Sequence, residues 1–159
     1  MKFHPARFIS ADVSDLIFRA LFCLIFVGLG FEHIFSDEMI QSLMPAWLPY
    51  KRGISIICGL WLISWGSLIL TGFGVIWAAL GLGSFLIVVT CLVHIPALFY
   101  NPSSIAPENH WIWQVLQRSN LVKNLCLLGV CIHLFNHDLG KYSLESFLSR
   151  KQKLPKESQ

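Results

Sequence analysis

Polar and ionisable side chains that could carry chemistry lie inside strongly apolar segments of this sequence. His33 and His94 each stand near the end of such a segment. A neutral imidazole can bind a metal or a haem iron, or can hydrogen-bond a quinone carbonyl and carry its protons, and the spacing alone leaves these uses open. The other candidate ligand-binding residues are polar, thiol or aromatic: Glu32, Trp47, Ser55, Cys58, Cys91, Asn120, Lys123 and Asn124.

The composition indicates the solvent in which these side chains lie. Of 159 residues, 55% are apolar and only 13% are charged, whereas a soluble domain carries about 25% charged residues. This excess predicts a lipid environment, where an ionisable side chain usually faces the protein interior and often marks a functional path. The basic residues are not interleaved with exposed aromatics, which argues against nucleic acid as a partner.

Common catalytic and metal-binding motifs do not occur in the sequence. It contains no CxxC pair, no HExxH motif, no phosphate-binding loop and no Ser-His-Asp pattern. Hydrolase and nucleotide chemistry therefore have no support, and no metal site is predicted. The five cysteines all lie in apolar segments and are expected to be free thiols that pack like small apolar residues.

Four apolar segments predict membrane-spanning helices, because each has close to the ~20 residues that a bilayer requires. They cover residues 16–35, 54–71, 75–100 and 121–136. We predict an all-α polytopic membrane protein, a four-transmembrane-helix bundle, with a single domain over residues 1–150 and a polar, mobile tail over 151–159. The uncharged turn at residues 71–74 makes the second and third helices antiparallel neighbours.

Helical spacing places the candidate residues on shared faces. One stripe on the first span consists of Arg19, Cys23, Phe26, Gly30 and His33. A second stripe, on the third span, consists of Ser84, Ile87, Cys91, His94, Leu98 and Asn101. We predict that both stripes face the interior. Their polar ends meet the starts of the second and fourth spans in one leaflet, which predicts a polar pocket walled by four helices.

Each candidate also has a structural interpretation. His33 could bond to water or a loop carbonyl, and His94 could bond to a Ser or Asn of a neighbouring helix. Lys123 could extend its ammonium to the membrane surface. Glu32 could form an ion pair with Lys123 or Arg52.

Loop charge predicts the orientation. Eight basic residues flank the terminal side: Lys2, Arg7, Arg19, Lys141, Arg150, Lys151, Lys153 and Lys156. Four lie near the long loops: Lys51, Arg52, Arg118 and Lys123. The positive-inside rule therefore predicts a multi-pass protein of the cell inner membrane with both termini in the cytoplasm. On that side we expect Arg19 to extend to the surface, and His133 and His137 to mark the membrane boundary.

The two long loops, residues 36–53 and 101–120, are rich in Trp, Tyr and Pro and are predicted to cover the pocket as a lid. Pro45 and Pro49 fix the chain direction, so this part of the lid should be rigid. Trp47 between them either anchors the loop at the membrane interface or closes the mouth of the pocket.

These segments resemble a known family. The run Gly-Leu-Gly-Phe-Glu-His-Ile-Phe at 28–35, the loop Met-Pro-Ala-Trp-Leu-Pro at 44–49 and the Cys-Gly pair at 58–59 are similar to DoxX-like membrane proteins, over roughly residues 19–135. The resemblance implies a four-helix membrane protein, and some members are linked with oxidoreductase systems: a membrane subunit of thiosulfate:quinone oxidoreductase and a methylamine dehydrogenase maturation protein. What transfers by position is His33 and the 45–49 loop.

The sequence departs from this family at two positions. The apolar run at 60–63 replaces an acidic residue expected in the second span, and the asparagine expected close behind Pro96 is absent.

Two functions fit these features. The first is a membrane subunit or accessory protein of a redox system that binds a quinone-like or other lipophilic ligand in an outer-leaflet pocket; the cofactor could be a quinone or a haem. The second is a non-catalytic binding or assembly protein for a lipid or a partner membrane protein. A transporter is less well supported, because the helices are short and carry few charges.

Overall fold

A computed structural model of the protein describes residues 9–45, 47–101 and 105–153, and within these ranges all regular structure is helical. The α-helices are α1 (Ala11–Phe35), α2 (Asp37–Leu43), α3 (Lys51–Thr71), α4 (Val75–Val89), α5 (Ile95–Ala97), α6 (His110–His133) and α7 (Leu144–Lys153). Short 3-10 turns precede and follow α6, at Pro107–Asn109 and Leu134–Asn136. The predicted all-α class is confirmed.

Three helices are long and apolar enough to cross a membrane. They are α1, α3 and the continuous helix Val75–Ala97, which joins α4 to α5. The chain is therefore a multi-pass membrane protein. The fourth predicted span corresponds to α6, whose composition is more polar, so α6 is not among the helices identified as spans.

Two helix ends show how local sequence sets these bounds. The Ser10 side chain accepts the Val13 N–H at 3.3 Å and so begins α1. The helix α3 ends at Thr71, and the next residue, Gly72, adopts a left-handed conformation with φ 69°. The Phe73 N–H then donates back to the Leu68 carbonyl at 3.0 Å, a Schellman ending that satisfies one of the last free carbonyls of α3.

The helices pack in a continuous series: α3 lies against both α1 and α4, and α4 lies against α6. The closest approach joins α1 to α3, where Gly30 faces Gly59. A Cβ atom on Gly59 would lie 2.7 Å from the Gly30 carbonyl oxygen, so neither position has room for a side chain. The shared core includes Phe26 of α1, Leu62 of α3 and Leu82 of α4.

The predicted stripe on α1 is confirmed, since Arg19, Cys23 and Phe26 are almost fully buried. The predicted stripe on α4 is wrong, because Ser84, Ile87 and Cys91 are exposed. The face that packs is instead the one with small and aliphatic residues: Ala78, Ala79, Leu82, Gly83 and Leu86. Small side chains let a neighbouring backbone come close, and that contact determined which face of α4 is buried.

A π-helical turn at Thr90–His94 changes the register of this helix. It ends two residues before Pro96, which has no N–H to donate into the helix. A π turn adds a residue to one turn and rotates everything that follows. His94 is consequently half-buried and turned toward α6, although Cys91, in the same predicted stripe, is exposed.

Several predicted boundaries also change. α1 begins at Ala11 instead of residue 16, and α6 begins at His110 instead of residue 121, so the second long loop is shorter than expected. The predicted tail begins inside α7, which continues to Lys153. Residues 154–159 of that tail, together with Lys2 and Arg7, lie outside the described residues.

Candidate functional site

The predicted polar residues gather at one end of the helical assembly. We call it the His33 end; it comprises the end of α1, the start of α3, the end of α4 with α5, and the start of α6. There His33 is half-buried, and its Nδ1 lies 3.1 Å from the hydroxyl of the fully buried Ser55. The same hydroxyl donates to the His33 carbonyl oxygen at 2.9 Å. Because the Ser55 hydroxyl hydrogen is thereby committed, Nδ1 of His33 must be the donor of the other bond.

His94 has an equivalent arrangement on the other side of this end. Its Nδ1 lies 2.8 Å from Oε1 of Gln117, a buried residue of α6. An amide oxygen only accepts, so this Nδ1 also carries the hydrogen. The partner is a glutamine, not the Ser or Asn that the sequence analysis considered.

The two bonds define the chemistry left to each ring. A neutral imidazole with a hydrogen on Nδ1 has a free lone pair on Nε2, which can accept a hydrogen bond or a proton. No described residue bonds to Nε2 of His33 or His94. Each histidine is thus held by one nitrogen and offers the other.

Charged groups link the two histidines across three helices. The ammonium of Lys123 lies within electrostatic range of both Glu32 and His94, and Glu32 lies within range of His33. Lys123 also donates to Oδ1 of Asn120 at 3.0 Å, so it is partly held on α6.

Asn124, one turn further along α6, is buried, and its Nδ2 donates to the Thr90 hydroxyl at 3.1 Å. This bond fastens α6 to the π turn that positions His94. Thr90 and Gln117 are partners that the sequence analysis missed. Gln117 lies in the stretch that the sequence analysis placed in the second long loop.

Three predicted site residues lie apart from this group. Trp47 is 64% exposed, which favours an interfacial anchor over a plug in a pocket mouth. Cys91 is exposed on the outer face of the π turn. Cys58 lines an apolar groove of about 210 Å³ between α3 and α4, together with Ile57, Trp61, Ser84, Phe85 and Val88.

The lid segment is fastened by the first residues of α3. The Lys51 ammonium donates to the carbonyl oxygens of Gln41 at 3.4 Å and Met44 at 3.1 Å, at the end of α2. A guanidinium N–H of Arg52 donates to the Ile34 carbonyl at 3.2 Å, near the end of α1. Cationic side chains are favourable at both positions because they bind carbonyl groups left free at helix ends.

The opposite end of the assembly carries a buried polar network that the sequence analysis missed. We call it the Asp15 end; it comprises the start of α1, the α3–α4 turn and residues 137–147. Arg19 is fully buried there and donates to Oδ2 of Asp15 at 3.0 Å, to the Leu70 carbonyl at 2.7 Å and to the Tyr142 carbonyl at 3.0 Å. The prediction that Arg19 extends to the membrane surface is wrong, because Asp15 one turn earlier neutralises it inside the protein.

The same carboxylate holds the chain that follows α6. Oδ1 of Asp15 lies 2.7 Å from Nε2 of His137, and its Oδ2 also accepts the Gly140 N–H at 3.2 Å. His137 therefore does more than mark a membrane boundary. The i,i+4 spacing of Asp15 and Arg19 was a signal for this pair, but the predicted span started at residue 16 and excluded the acid.

Two contacts at the surface complete the Asp15 end. The Lys141 ammonium lies 3.0 Å from Oδ2 of Asp12, and this hydrogen bond and charge raise the pKa of Lys141 above its ordinary value. Oε1 of Glu145 accepts the Gly74 N–H at 2.7 Å. Residues 140–145 are thus tied to α1 and to the α3–α4 turn.

A comparison with known protein families shows to which family this chain belongs. The DoxX family profile matches residues 14–95, which is more than half of the 159 residues. The chain belongs to the DoxX family. No curated protein and no solved structure matches the chain significantly.

The DoxX match divides the candidate site. It covers α1, α3, α4 and the π turn, and so includes His33, Ser55 and His94, together with the loop at 44–49. It ends at Ile95 and leaves α6, with Gln117 and Lys123, outside. The predicted resemblance is confirmed, although it was expected to extend to about residue 135.

Among the described residues, no cluster of three or more His, Cys, Asp or Glu side chains could hold a metal ion. All five cysteines are free thiols. The imidazoles at the His33 end are suited to hydrogen bonding and proton exchange.

Proposed function

We propose that this DoxX-family protein is a membrane subunit or accessory protein of a redox system and binds a quinone-like ligand at the His33 end. The observation that supports it is that His33 and His94 are each held through Nδ1, while Nε2 has no partner among the residues that the structure describes. An Nε2 lone pair accepts a hydrogen bond from a quinol hydroxyl and can take up its proton. Lys123, between Glu32 and His94, can donate to a quinone oxygen.

We also propose that α6 is a fourth membrane span. Two of its four buried residues, Gln117 and Asn124, are polar, and both bond to residues of the helix Val75–Ala97. Its outward positions are largely apolar: Trp111, Ile112, Val115, Leu116, Val122, Leu125 and Ile132. A helix with polar residues inside and apolar residues outside is suited to lipid, even though its average composition is too polar to identify it.

Four spans place both termini on one side, and the surplus of basic residues there supports a cytoplasmic location in the inner membrane. A reporter that is active only in the cytoplasm tests this when it is fused after Gln159, at Thr71 or at Pro107. We expect activity at the first two sites and none at Pro107. Activity at Pro107 with silence after Gln159 would reverse the orientation, and activity at Thr71 with silence both at Pro107 and after Gln159 would remove the fourth span.

Ligand content tests the quinone site. The full-length protein is purified in mild detergent, its lipids are extracted and analysed by mass spectrometry, and its absorbance spectrum is recorded. We expect a co-purifying quinone, and binding of a short-chain quinol that weakens about tenfold in His94→Ala, since a lost hydrogen bond costs about 1 kcal/mol or more. A Soret band would indicate haem instead.

The matched control is His133→Ala, which removes an exposed histidine at the last residue of α6, far along that helix from Gln117. It should leave quinol binding unchanged. Equal binding by His94→Ala, His133→Ala and the parent protein would exclude the His33 end as the quinone site.

The apolar groove between α3 and α4 favours a second candidate, a non-catalytic assembly protein. The groove is open to the membrane and contains a single hydroxyl side chain, Ser84, among apolar neighbours. Such a surface suits a lipid chain or an apolar helix of a partner. Purified protein that contains phospholipid but neither quinone nor haem would support this candidate.

A further inference from the structure

The helix α7 is fixed at the level where two membrane spans meet. The Glu145 N–H donates to the Gly72 carbonyl at 3.3 Å, and the Glu145 carboxylate accepts the Gly74 N–H. Gly72 and Gly74 belong to the turn that joins α3 to α4. Because both of these helices are long and apolar enough to cross the membrane, the turn and the start of α7 lie at the membrane surface.

One face of α7 is turned toward its own chain and the opposite face is apolar. The Ser146 hydroxyl donates to the Gly140 carbonyl at 3.2 Å, which fixes the inward side. Leu144, Phe147 and Leu148 are 41%, 54% and 41% exposed. Their i, i+3, i+4 spacing makes a continuous stripe on the side away from Ser146.

Basic residues accompany this stripe. Arg150 and Lys151 follow it in the last turns of α7, and the sequence adds Lys153. The Lys151 ammonium lies 5.4 Å from the Phe147 ring centroid, so its carbon chain runs along the apolar stripe. Such a lysine can bury its stem and place its charge among phospholipid headgroups.

Aromatic side chains mark the same level around the Asp15 end. Phe73 in the α3–α4 turn, Trp77 at the start of α4 and Tyr142 just before α7 are all substantially exposed. Aromatic residues concentrate at the boundary between hydrocarbon and water. The apolar stripe of α7 therefore begins beside a belt that itself contacts the membrane interface.

We propose that α7 lies flat on the membrane surface and binds anionic phospholipid, with Leu144, Phe147 and Leu148 in the acyl boundary and Arg150 and Lys151 at the phosphates. Ten residues of helix span about 15 Å, enough for a surface anchor and too short for a span. An amphipathic helix with basic residues binds by its apolar area and by attraction to anionic lipid. The inference requires only that α3 and α4 cross the membrane, and it is independent of quinone binding.

Hydrogen exchange of the full-length protein in nanodiscs tests this. One set of discs contains phosphatidylcholine alone, and the other contains equal parts phosphatidylcholine and phosphatidylglycerol. We expect amides of residues 144–153 to exchange more slowly in the anionic discs. R150Q/K151Q should reduce this difference roughly tenfold or more, because each basic residue near an anionic surface strengthens binding severalfold. F147S/L148S should accelerate exchange in both lipids.

Ser149→Ala is the matched control, since Ser149 is exposed and belongs to neither the apolar stripe nor the basic group. Unchanged exchange in α1 and α3 shows that each variant retains the fold. Equal exchange of 144–153 in the two lipids overturns the proposal. Protection that appears only in discs containing two copies of the chain also overturns it, because the apolar stripe would then bind a second copy.

Discussion

The two ends of the helical assembly treat their polar residues in opposite ways. At the Asp15 end, the Asp15 carboxylate bonds to three groups and the Arg19 guanidinium to three. At the His33 end, His33 and His94 are half-buried, and within the described part of the chain each bonds through one ring nitrogen. The first end is saturated and closed, and the second has binding capacity left over.

This difference in hydrogen bonding favours a structural role for the Asp15 end and agrees with the ligand-binding role that we propose for the His33 end. A buried charge is tolerated only when its partners are complete, and a complete set leaves nothing for a ligand. The Asp15 end joins residues that are more than one hundred positions apart, so it closes the fold. At the His33 end, the half-buried imidazoles keep acceptor nitrogens without a partner among the described residues, and a buried acceptor is costly unless a ligand or water bonds to it.

The largest effect is expected where the network is saturated. Arg19→Ala should leave the Asp15 carboxylate buried with reduced compensation, and should free the carbonyls of Leu70 and Tyr142. Breaking a buried ion pair costs about 3–5 kcal/mol, so the thermal unfolding temperature in detergent should fall sharply. Arg118→Ala removes an exposed arginine of α6 and is the control. Equal unfolding temperatures for the two variants would show that the Asp15 end does not stabilise the fold.

The sequence pattern predicted which face of α1 is buried, but it did not predict the hydrogen-bond network at the Asp15 end. Helical periodicity on α1 placed Arg19, Cys23 and Phe26 on its interior stripe, because a single regular helix follows the 3.6-residue repeat throughout, whereas the separate prediction that Arg19 extends to the surface was wrong. The partners of Arg19 could not be predicted. Two of them are backbone carbonyls, of Leu70 and Tyr142, and a carbonyl is present at every residue and gives no sequence signal.

The His33 end shows a second limit. His94 and Cys91 stand three residues apart and were assigned to one face, but the π turn between Thr90 and His94 rotates one away from the other. A regular period cannot predict an added residue, although Pro96 signals that hydrogen bonding is interrupted nearby. Gln117 was missed because the polar start of α6 resembles a loop when average hydropathy is the criterion.

An intermediate effect is expected at the close contact that supports the His33 end. Gly59→Ala places a methyl group 2.7 Å from the Gly30 carbonyl oxygen and 3.1 Å from the His33 Cβ. Overpacking of this kind costs about 1–3 kcal/mol, and separation of α1 from α3 should weaken the His33–Ser55 bond. Both the unfolding temperature and quinol binding should decrease.

Gly28→Ala is the control for that contact, because a Cβ atom on Gly28 meets nothing within 4 Å. This change should raise stability slightly, since alanine favours a helix over glycine by about 0.5–1 kcal/mol. If Gly59→Ala behaved like Gly28→Ala, the His33 end would be loosely packed on every side. The contrast between the two ends would then reflect packing as well as hydrogen bonding.

The smallest effect is expected at the junction between the lid segment and α3. Tyr50 has φ 49° and ψ 41°, and it is the one residue other than glycine with positive φ in the described part of the chain. A left-handed conformation costs a bulky residue about 1–2 kcal/mol, whereas asparagine adopts it readily. Tyr50 is 88% exposed, so little packing is lost when its ring is removed.

Tyr50→Asn should therefore raise the unfolding free energy by about 1 kcal/mol. Tyr100→Asn, at an exposed tyrosine without positive φ, should give no increase. If stability increased and quinol binding were unchanged, the left-handed conformation of Tyr50 would affect only the connection between the lid segment and α3. If stability increased and quinol binding weakened, this conformation would also contribute to the binding geometry of the His33 end.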